Sequence, residues 1–172
     1  MKTVPDFNTL PKFYTHYVNQ VKDLDMLDGL EQSGKQMISI INNISEEMGE
    51  YRYEKGKWSI KELICHVMDA ERIFAYRALR FARKDSTELP GFEENDYAPQ
   101  ANAHARTLKQ LVVEVENLRR STLDLFASFT PEMLQRKGSA NKNVVSVVNI
   151  GYIISGHETH HRNVLNERYL RA

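Results

Sequence analysis

The sequence predicts an all-α protein, a four-helix bundle. Four long stretches carry apolar residues at helical spacing, two of them open on capping boxes, and no stretch alternates like a half-buried strand. At 172 residues and 20.0 kDa, the chain is large enough to bury one substantial core. We expect a lead-in segment over residues 1–25 that packs on a bundle domain over residues 26–172.

Composition and charge exclude two classes of partner. The chain has 23 Lys and Arg against 23 Asp and Glu, so no net field attracts nucleic acid or an anionic membrane. The N-terminus has no apolar signal core, and no run approaches the roughly 18 apolar residues of a membrane span. The single cysteine, Cys65, cannot form an intramolecular disulfide and suits a reducing compartment. We therefore expect a cytoplasmic protein.

The first two helices are predicted from apolar stripes. The first covers residues 25–48, with an inner face of Leu27, Leu30, Gly34, Met37, Ile41, Ile44 and Met48. The capping box Ser59-Ile-Lys-Glu62 opens the second, which runs to about Lys84. The inner face of this second helix carries Ile60, Leu63, Val67, Phe74 and Phe81, and His66 lies on the shoulder of that face.

The last two helices follow a connection without periodicity over residues 85–106. The capping box Thr107-Leu-Lys-Gln110 opens the third helix, whose stripe extends to Phe129. Thr130-Pro131 starts a short turn that Gly138 ends. The fourth helix is predicted from Asn143 to Leu170.

The lengths of the connections predict the topology. Short connections make the first and second helices antiparallel neighbours, and likewise the third and fourth, whereas the long connection can return along the bundle. The order is then up-down-down-up, with a long crossover between helices 2 and 3. Because helices 2 and 4 run antiparallel, His66 near the start of one lies level with His161 near the end of the other.

Two histidines stand on the apolar face of the fourth helix. His157 and His161 are one turn apart, on the same side as Val147, Ile150, Ile154 and Leu165. A buried imidazole must be hydrogen-bonded or ligated, since an unpaired buried polar group costs on the order of 1–3 kcal/mol. One alternative is a pair of ordinary core histidines bonded to neighbours. The other is a shared divalent metal ion.

His66 is the expected third ligand. Three protein ligands with open positions are typical of catalytic rather than structural zinc sites. The identity of the metal stays open, because imidazole suits zinc, nickel, copper and iron alike.

Five further residues flank the predicted site. Glu158 completes an H-E-x-x-H pattern and is a candidate base, or else a helix–helix contact. The peptidase interpretation is not favoured, because Val164 and Glu167 stand where the extended motif requires Gly and His. Asp69 and Glu71 could orient a ligating imidazole through its second nitrogen. His160 is expected at a neighbouring contact or an interface rather than on the metal. Arg77 either binds an anionic substrate or is solvated and ion-paired.

The connection over residues 85–106 is a candidate lid. Long loops in compact domains tend to be functional, and the predicted topology returns this one to the metal end of the bundle. We expect residues 97–106 to border the open coordination positions, with Tyr97 and His104 contacting a ligand. The alternative is a passive crossover that covers the core.

Four motifs in sequence order carry a resemblance to a known family. They are residues 56–71, with Trp58, Glu62 and His66; residues 77–85; Leu89-Pro-Gly-Phe92; and Gly156-His157-Glu-Thr-His160-His161. From about residue 26 onward the sequence resembles the DinB-like superfamily of four-helix-bundle proteins, which includes YfiT-type metal-dependent hydrolases and bacillithiol- and mycothiol-dependent transferases. The resemblance implies a divalent metal, often zinc or nickel, on His66, His157 and His161. It also implies a homodimer and a bacterial source.

Two classes of function follow from these expectations. The first is a metal-dependent enzyme that acts on a small molecule, either as a hydrolase or as an S-transferase with a low-molecular-weight thiol. The second is a non-catalytic, stress-related metal-binding protein with the same bundle. The candidate acid–base residues and the lid favour the enzyme.

Overall fold

The computed structural model describes residues 2–170, and four long helices dominate it. They are α1 (Met26–Ile41), α2 (Ile60–Ala82), α3 (Leu108–Ala127) and α4 (Val147–Val164), the last continued by a π-helical turn over Leu165–Tyr169. The predicted all-α four-helix bundle is confirmed. Within residues 2–170, none of the helices combines the length and apolarity that crossing a membrane requires.

The bundle has an up-down-down-up order in which α1 lies diagonally opposite α2 and α3 lies diagonally opposite α4. α1 packs on α3 and α4, and α2 packs on the same two helices. The expectation that the short connections make α1 and α2 neighbours, and likewise α3 and α4, is therefore wrong. Residues 42–59, with a 3₁₀ turn at Glu46–Glu50, are long enough to cross the end of the bundle. α2 and α4 are antiparallel neighbours as predicted: Tyr169 Oη, past the end of α4, donates to the Trp58 carbonyl at 2.8 Å, just before α2.

Helix starts agree better with the sequence than helix ends. Both capping boxes form: Ser59 Oγ accepts from Glu62 N at 3.2 Å, and Thr107 Oγ1 accepts from Gln110 N at 3.1 Å. α1, however, ends at Ile41 rather than Met48. The reason is local, because the Asn43 side chain donates to the Ser39 carbonyl at 2.7 Å and so takes over a carbonyl of the last turn.

A small β-hairpin precedes α4, where the sequence predicted only a turn and the start of a helix. β1 (Lys137–Ala140) pairs antiparallel with β2 (Asn143–Ser146). Both turn residues, Asn141 and Lys142, have positive φ, 50° and 61°, as a tight two-residue hairpin requires. α4 thus begins at Val147 and not at Asn143. Gly138 lies inside β1 rather than ending a turn. A Cβ at this position would overlap the Phe81 ring.

The core consists of two apolar halves with a polar layer between them. One half holds Phe74, Phe81 and Phe126 near the hairpin, and the other holds Ile60 and Leu111 at the opposite end. The buried polar and charged residues at the level between the two halves come from all four helices: Ser33, His66, Glu71, Arg119, Ser155, His157 and Glu158.

Residues 2–25 pack closely against α4. A short helix, Thr15–Val18, lies on α4 and buries Val18 completely. Tyr152 Oη lies 2.8 Å from the Thr3 carbonyl oxygen and 3.0 Å from that of Leu24. The approach is closest at Gly156, where a Cβ would overlap the Tyr17 carbonyl. A glycine is therefore required beneath the short helix.

This close approach predicts different outcomes for two buried helical glycines. Gly156→Ala should destabilise the protein by about 1–3 kcal/mol, because the new methyl displaces the Tyr17 backbone. Gly29→Ala is the matched control: its nearest neighbour would be Ser155 Oγ at 3.5 Å, an ordinary contact, so stability should stay level or rise by up to about 1 kcal/mol. Urea denaturation followed by circular dichroism measures both. Equal effects of the two substitutions would contradict the described packing.

Candidate metal centre

Three imidazoles meet in the polar layer. His66 comes from α2, while His157 and His161 come from successive turns of α4. His157 Nε2 lies 3.1 Å from His66 Nε2 and 3.1 Å from His161 Nε2. One potential ligand atom from each residue lies within 4.8 Å of the other two. The structure thus brings together the three histidines that the sequence singled out.

Hydrogen bonding among the three rings cannot satisfy this arrangement. A neutral imidazole Nε2 is either a donor with one hydrogen or an acceptor with one in-plane lone pair. His157 Nε2 can therefore satisfy only one of its two 3.1 Å contacts. His161 Nδ1 is buried without a hydrogen-bond partner among residues 2–170, so this ring too depends on its Nε2. A cation between the rings would satisfy the Nε2 atoms of all three histidines.

The protonation state and the spacing also fit a metal ion. Burial lowers the pKa of His66 to about 4, and burial lowers the pKa of His157 and of His161 well below the usual histidine value. All three rings are then neutral at neutral pH, which is the form that ligates metals. Tetrahedral zinc, with Zn–N of about 2.0–2.1 Å, holds its nitrogens about 3.3 Å apart. The two 3.1 Å separations are close to that value.

The cluster forms the floor of a cavity of about 460 Å³. Aromatic rings surround the histidines: Trp58 lies 4.7 Å from His66 between ring centroids, and Tyr17 lies 5.3 Å from His157. A second cavity of about 330 Å³ shares Trp58 and His161 with the first. The cavity sizes suit small molecules and the rings suit an apolar body.

Glu158 and Glu71 lie away from this cavity and form an ion-paired group with Arg119. Arg119 donates to Glu71 through Nε at 3.0 Å and Nη2 at 2.8 Å, and its Nη1 lies 2.8 Å from Glu158 Oε2. Burial works against charge on Arg119, but Glu158 and Glu71 outweigh it and raise the pKa. Burial raises the pKa of Glu158, and Arg119 opposes that shift. This placement does not favour Glu158 as a base, nor Glu71 as a partner of a ligating histidine.

Asp69 and His160 take different positions beside the site. Asp69 is half-buried, and its nearest cation is Arg72, whose Nη1 lies 3.4 Å from Asp69 Oδ1. His160 lines the second cavity, with its ring centroid 5.0 Å from that of His161 and 5.5 Å from that of His16. His160 is thus a neighbour of the cluster and not a member, as expected.

The predicted lid residues lie outside the two cavities. His104 pairs with Glu50 on the outer surface, and Tyr97 lines a separate outer cavity of about 300 Å³. The end of the loop is held there by Arg106, which donates to the Ala101 carbonyl at 2.8 Å and to Glu114 at 2.6 Å. The prediction that residues 97–106 border the site is therefore wrong.

The first half of the loop borders the site instead. Gly91, Phe92 and Glu94 line the larger cavity and Asn95 lines the smaller one. Arg77 lines both the larger inner cavity and the outer cavity of Tyr97, as do Gly91 and Phe92. These three residues form the wall between the two spaces.

Sequence reasoning missed the aromatic wall of the site. Tyr14, His16 and Tyr17 come from the lead-in segment, Trp58 from the residue before a helix cap, and Phe92 from the loop. The density of aromatic residues over 7–17 was a signal, because aromatic side chains in an irregular segment must be covered by something. Periodicity could not show that they would cover the histidines.

Fold and site together define a class, the four-helix-bundle proteins with a three-histidine cluster facing a cavity. The chain belongs to the DinB superfamily, whose family model matches residues 30–165. A protein of Oceanobacillus iheyensis, named a putative metal-dependent hydrolase, is 23% identical over 139 residues, which cover 80% of this chain and 79% of that one.

The solved structure of YfiT from Bacillus subtilis resembles the whole fold. Its TM-score is 0.73 at 14% identity, and the match covers 99% of this chain and 93% of that one. YfiT is described as a probable metal-dependent hydrolase with an unusual four-helix bundle topology. At this identity the likeness establishes the fold.

The ion-paired group predicts a large effect for one substitution. Arg119→Met should destabilise the protein by about 3–5 kcal/mol, because it leaves two buried carboxylates unpaired. Lys35→Met is the control. It breaks the exposed 2.6 Å pair with Glu31, which contributes about 0.5 kcal/mol or less. Chemical denaturation measures both. A change below about 1 kcal/mol for Arg119→Met would show that the group does not stabilise the bundle.

Proposed function

We propose that the protein is a metal-dependent hydrolase of small molecules, with a divalent cation held by His66, His157 and His161. The observation that carries this proposal is the double contact of His157 Nε2, which only a cation satisfies fully. The names of the Oceanobacillus and Bacillus proteins support the same activity. Zinc and nickel both suit three imidazoles.

A divalent cation held by these three histidines would supply Lewis acidity for polarising a carbonyl and activating a water. The residues of the chain supply the rest. Three neutral imidazoles leave the charge of a divalent ion uncompensated, which strengthens its Lewis acidity relative to a site with carboxylates. The rings of Trp58, Tyr17 and Phe74 enclose the space above the histidines, exclude bulk water and contact an apolar part of a substrate.

None of the acids predicted from the sequence is placed to act as a base near the three histidines. Glu158 and Glu71 neutralise Arg119, and Asp69 lies beside Arg72. Glu94 is the carboxylate that lines the larger cavity, at its exposed side. The homodimer and the bacterial source stay predictions.

Metal content tests the site directly. Wild-type protein prepared without chelators should carry about one divalent ion per chain, and His66→Ala, His157→Ala and His161→Ala should lose it, because each removes one of three ligands. His160→Ala is the matched control and should keep the ion, since its ring lies outside the cluster. Added metal should stabilise wild type by about 2.7 kcal/mol at 100 times Kd, and not the ligand variants. Elemental analysis that finds equal metal in wild type and His157→Ala would overturn the site.

Turnover tests the activity. Metal-loaded wild type should hydrolyse members of a panel of aryl esters and amides, and His157→Ala should be slower by roughly 100-fold or more, because several kcal/mol of transition-state stabilisation come from the metal. The panel is run with and without a low-molecular-weight thiol. Turnover that requires the thiol would assign an S-transferase instead. A loaded protein inert across the panel in both conditions would favour the non-catalytic metal-binding alternative.

A further inference from the structure

Arg77 is a buried cation for which residues 2–170 provide no carboxylate partner. Its exposed fraction is 5%, close to the 4% of Arg119. Arg119 has two carboxylates in contact, whereas no carboxylate in residues 2–170 lies within 4.0 Å of the Arg77 guanidinium. Burying an unpaired charge is costly, and proteins compensate it with a counter-charge. Arg77 therefore lines the cavity with a charge that no carboxylate of residues 2–170 compensates.

The contacts that Arg77 does make are neutral. Nη2 donates to the Pro90 carbonyl at 2.8 Å, and Cζ lies 5.6 Å from the centroid of the Phe74 ring. Burial lowers the pKa of Arg77, and Tyr14 opposes that shift only in part. The Pro90 carbonyl, the Phe74 ring and the Tyr14 hydroxyl orient the guanidinium, and none of the three supplies a negative charge.

Arg77 also lies in line with the histidine cluster. It stands three helical turns after His66, on the same face of α2. Phe74 lies between Arg77 and the histidines. Its ring centroid is 6.5 Å from that of His157, and the Arg77 guanidinium lies over the face of the ring. Arg77 and the three histidines line the same cavity. The guanidinium and the histidine cluster therefore face the same cavity.

Around this cavity, the positive charge of Arg77 has no negative charge from residues 2–170 beside it. Glu94 is the one acidic residue that the described chain contributes to the lining of this cavity. It is exposed, it lies near Tyr14 and Tyr17, and its carboxylate is more than 4.0 Å from the Arg77 guanidinium. Arg72 and Tyr76 lie on the outer side of the wall, in the cavity of Tyr97. Asn141, opposite Gly91, adds a neutral amide to the lining.

We propose that Arg77 binds a carboxylate of the substrate, so that the preferred substrate is a small organic acid with an aromatic or apolar body. The carboxylate pairs with the guanidinium at one end, the body lies against Phe74, and the hydrolysed group reaches the histidines at the other end. A planar guanidinium fork matches a carboxylate in two parallel hydrogen bonds. The position of the hydrolysed group rests on the proposed hydrolase function; the carboxylate site does not.

Direct binding separates this inference from the reaction. The probes are phenylacetate, 3-phenylpropionate and 4-phenylbutyrate, each compared with its neutral carboxamide of the same shape. Binding to the metal-loaded protein is followed by calorimetry and by the fluorescence of Trp58, which is the single tryptophan and lines the cavity. At least one acid should bind wild type tenfold or more tighter than its amide.

Variants at Arg77 should remove that preference. Arg77→Met should weaken binding of the acid by tenfold or more and leave the amide within threefold, while Arg77→Lys, which keeps the charge without the fork, should retain part of the preference. Arg72→Met is the matched control, since it removes a neighbouring arginine that faces the outer cavity. If circular dichroism shows that Arg77→Met does not fold, Arg77→Gln, which can still donate to the Pro90 carbonyl, replaces it.

Three outcomes overturn the inference: no acid binds wild type more tightly than its amide, Arg77→Met keeps the preference, or Arg72→Met loses it equally. A preference that survives Arg77→Met but disappears in metal-free protein would place the carboxylate on the histidine cluster instead. Failure of the hydrolase proposal has a different signature. In that case His157→Ala keeps its metal content, or no substrate is hydrolysed, while the Arg77-dependent preference for acids persists.

Discussion

The bundle depends on how its buried polar layer is satisfied. Arg119 of α3 reaches Ser33 of α1, Glu71 of α2 and Glu158 of α4, so one guanidinium contacts the three other helices. A misplaced helix would leave a charge unpaired inside the protein, at a cost of several kcal/mol. The same group therefore sets the level of α2 against α4. His66 lies about one turn from Glu71, and His157 precedes Glu158, so the charged group and the histidine cluster are aligned together.

In this arrangement, two adjacent residues of α4 have different roles. His157 faces the cavity and Glu158 faces the interior between the helices, because successive helical residues diverge by about 100°. The H-E pair resembles a catalytic motif in sequence, but in the structure its acid is ion-paired with Arg119. The same helix therefore provides one side chain that stabilises the bundle and different side chains that form the histidine cluster.

The cavity is assembled from parts of the chain that lie outside the bundle helices as well as on them. The short helix at Thr15–Val18 and the loop around Phe92 cover the histidines, and Trp58 closes the space between the two cavities. Gly156 allows the first of these to approach α4, and Gly91 allows the second to pass close to Asn141. Arg77 lies in the wall between the inner and outer cavities, where its charge is buried without a contacting carboxylate from residues 2–170.

The sequence by itself determined the fold class, the four bundle helices, both capping boxes and the faces on which His66, His157 and His161 lie. These features follow from local spacing, since a helix of 3.6 residues per turn places residues on a face whatever surrounds it. The order of helix directions followed from connection lengths. Only the tertiary structure decided which helices are neighbours, where Glu158 and Glu71 find their charge partner, which half of the 85–106 loop covers the site, and that the lead-in segment forms its wall. Each of these is a contact between residues far apart in the chain, and periodicity carries no information about the partner that a buried face will meet.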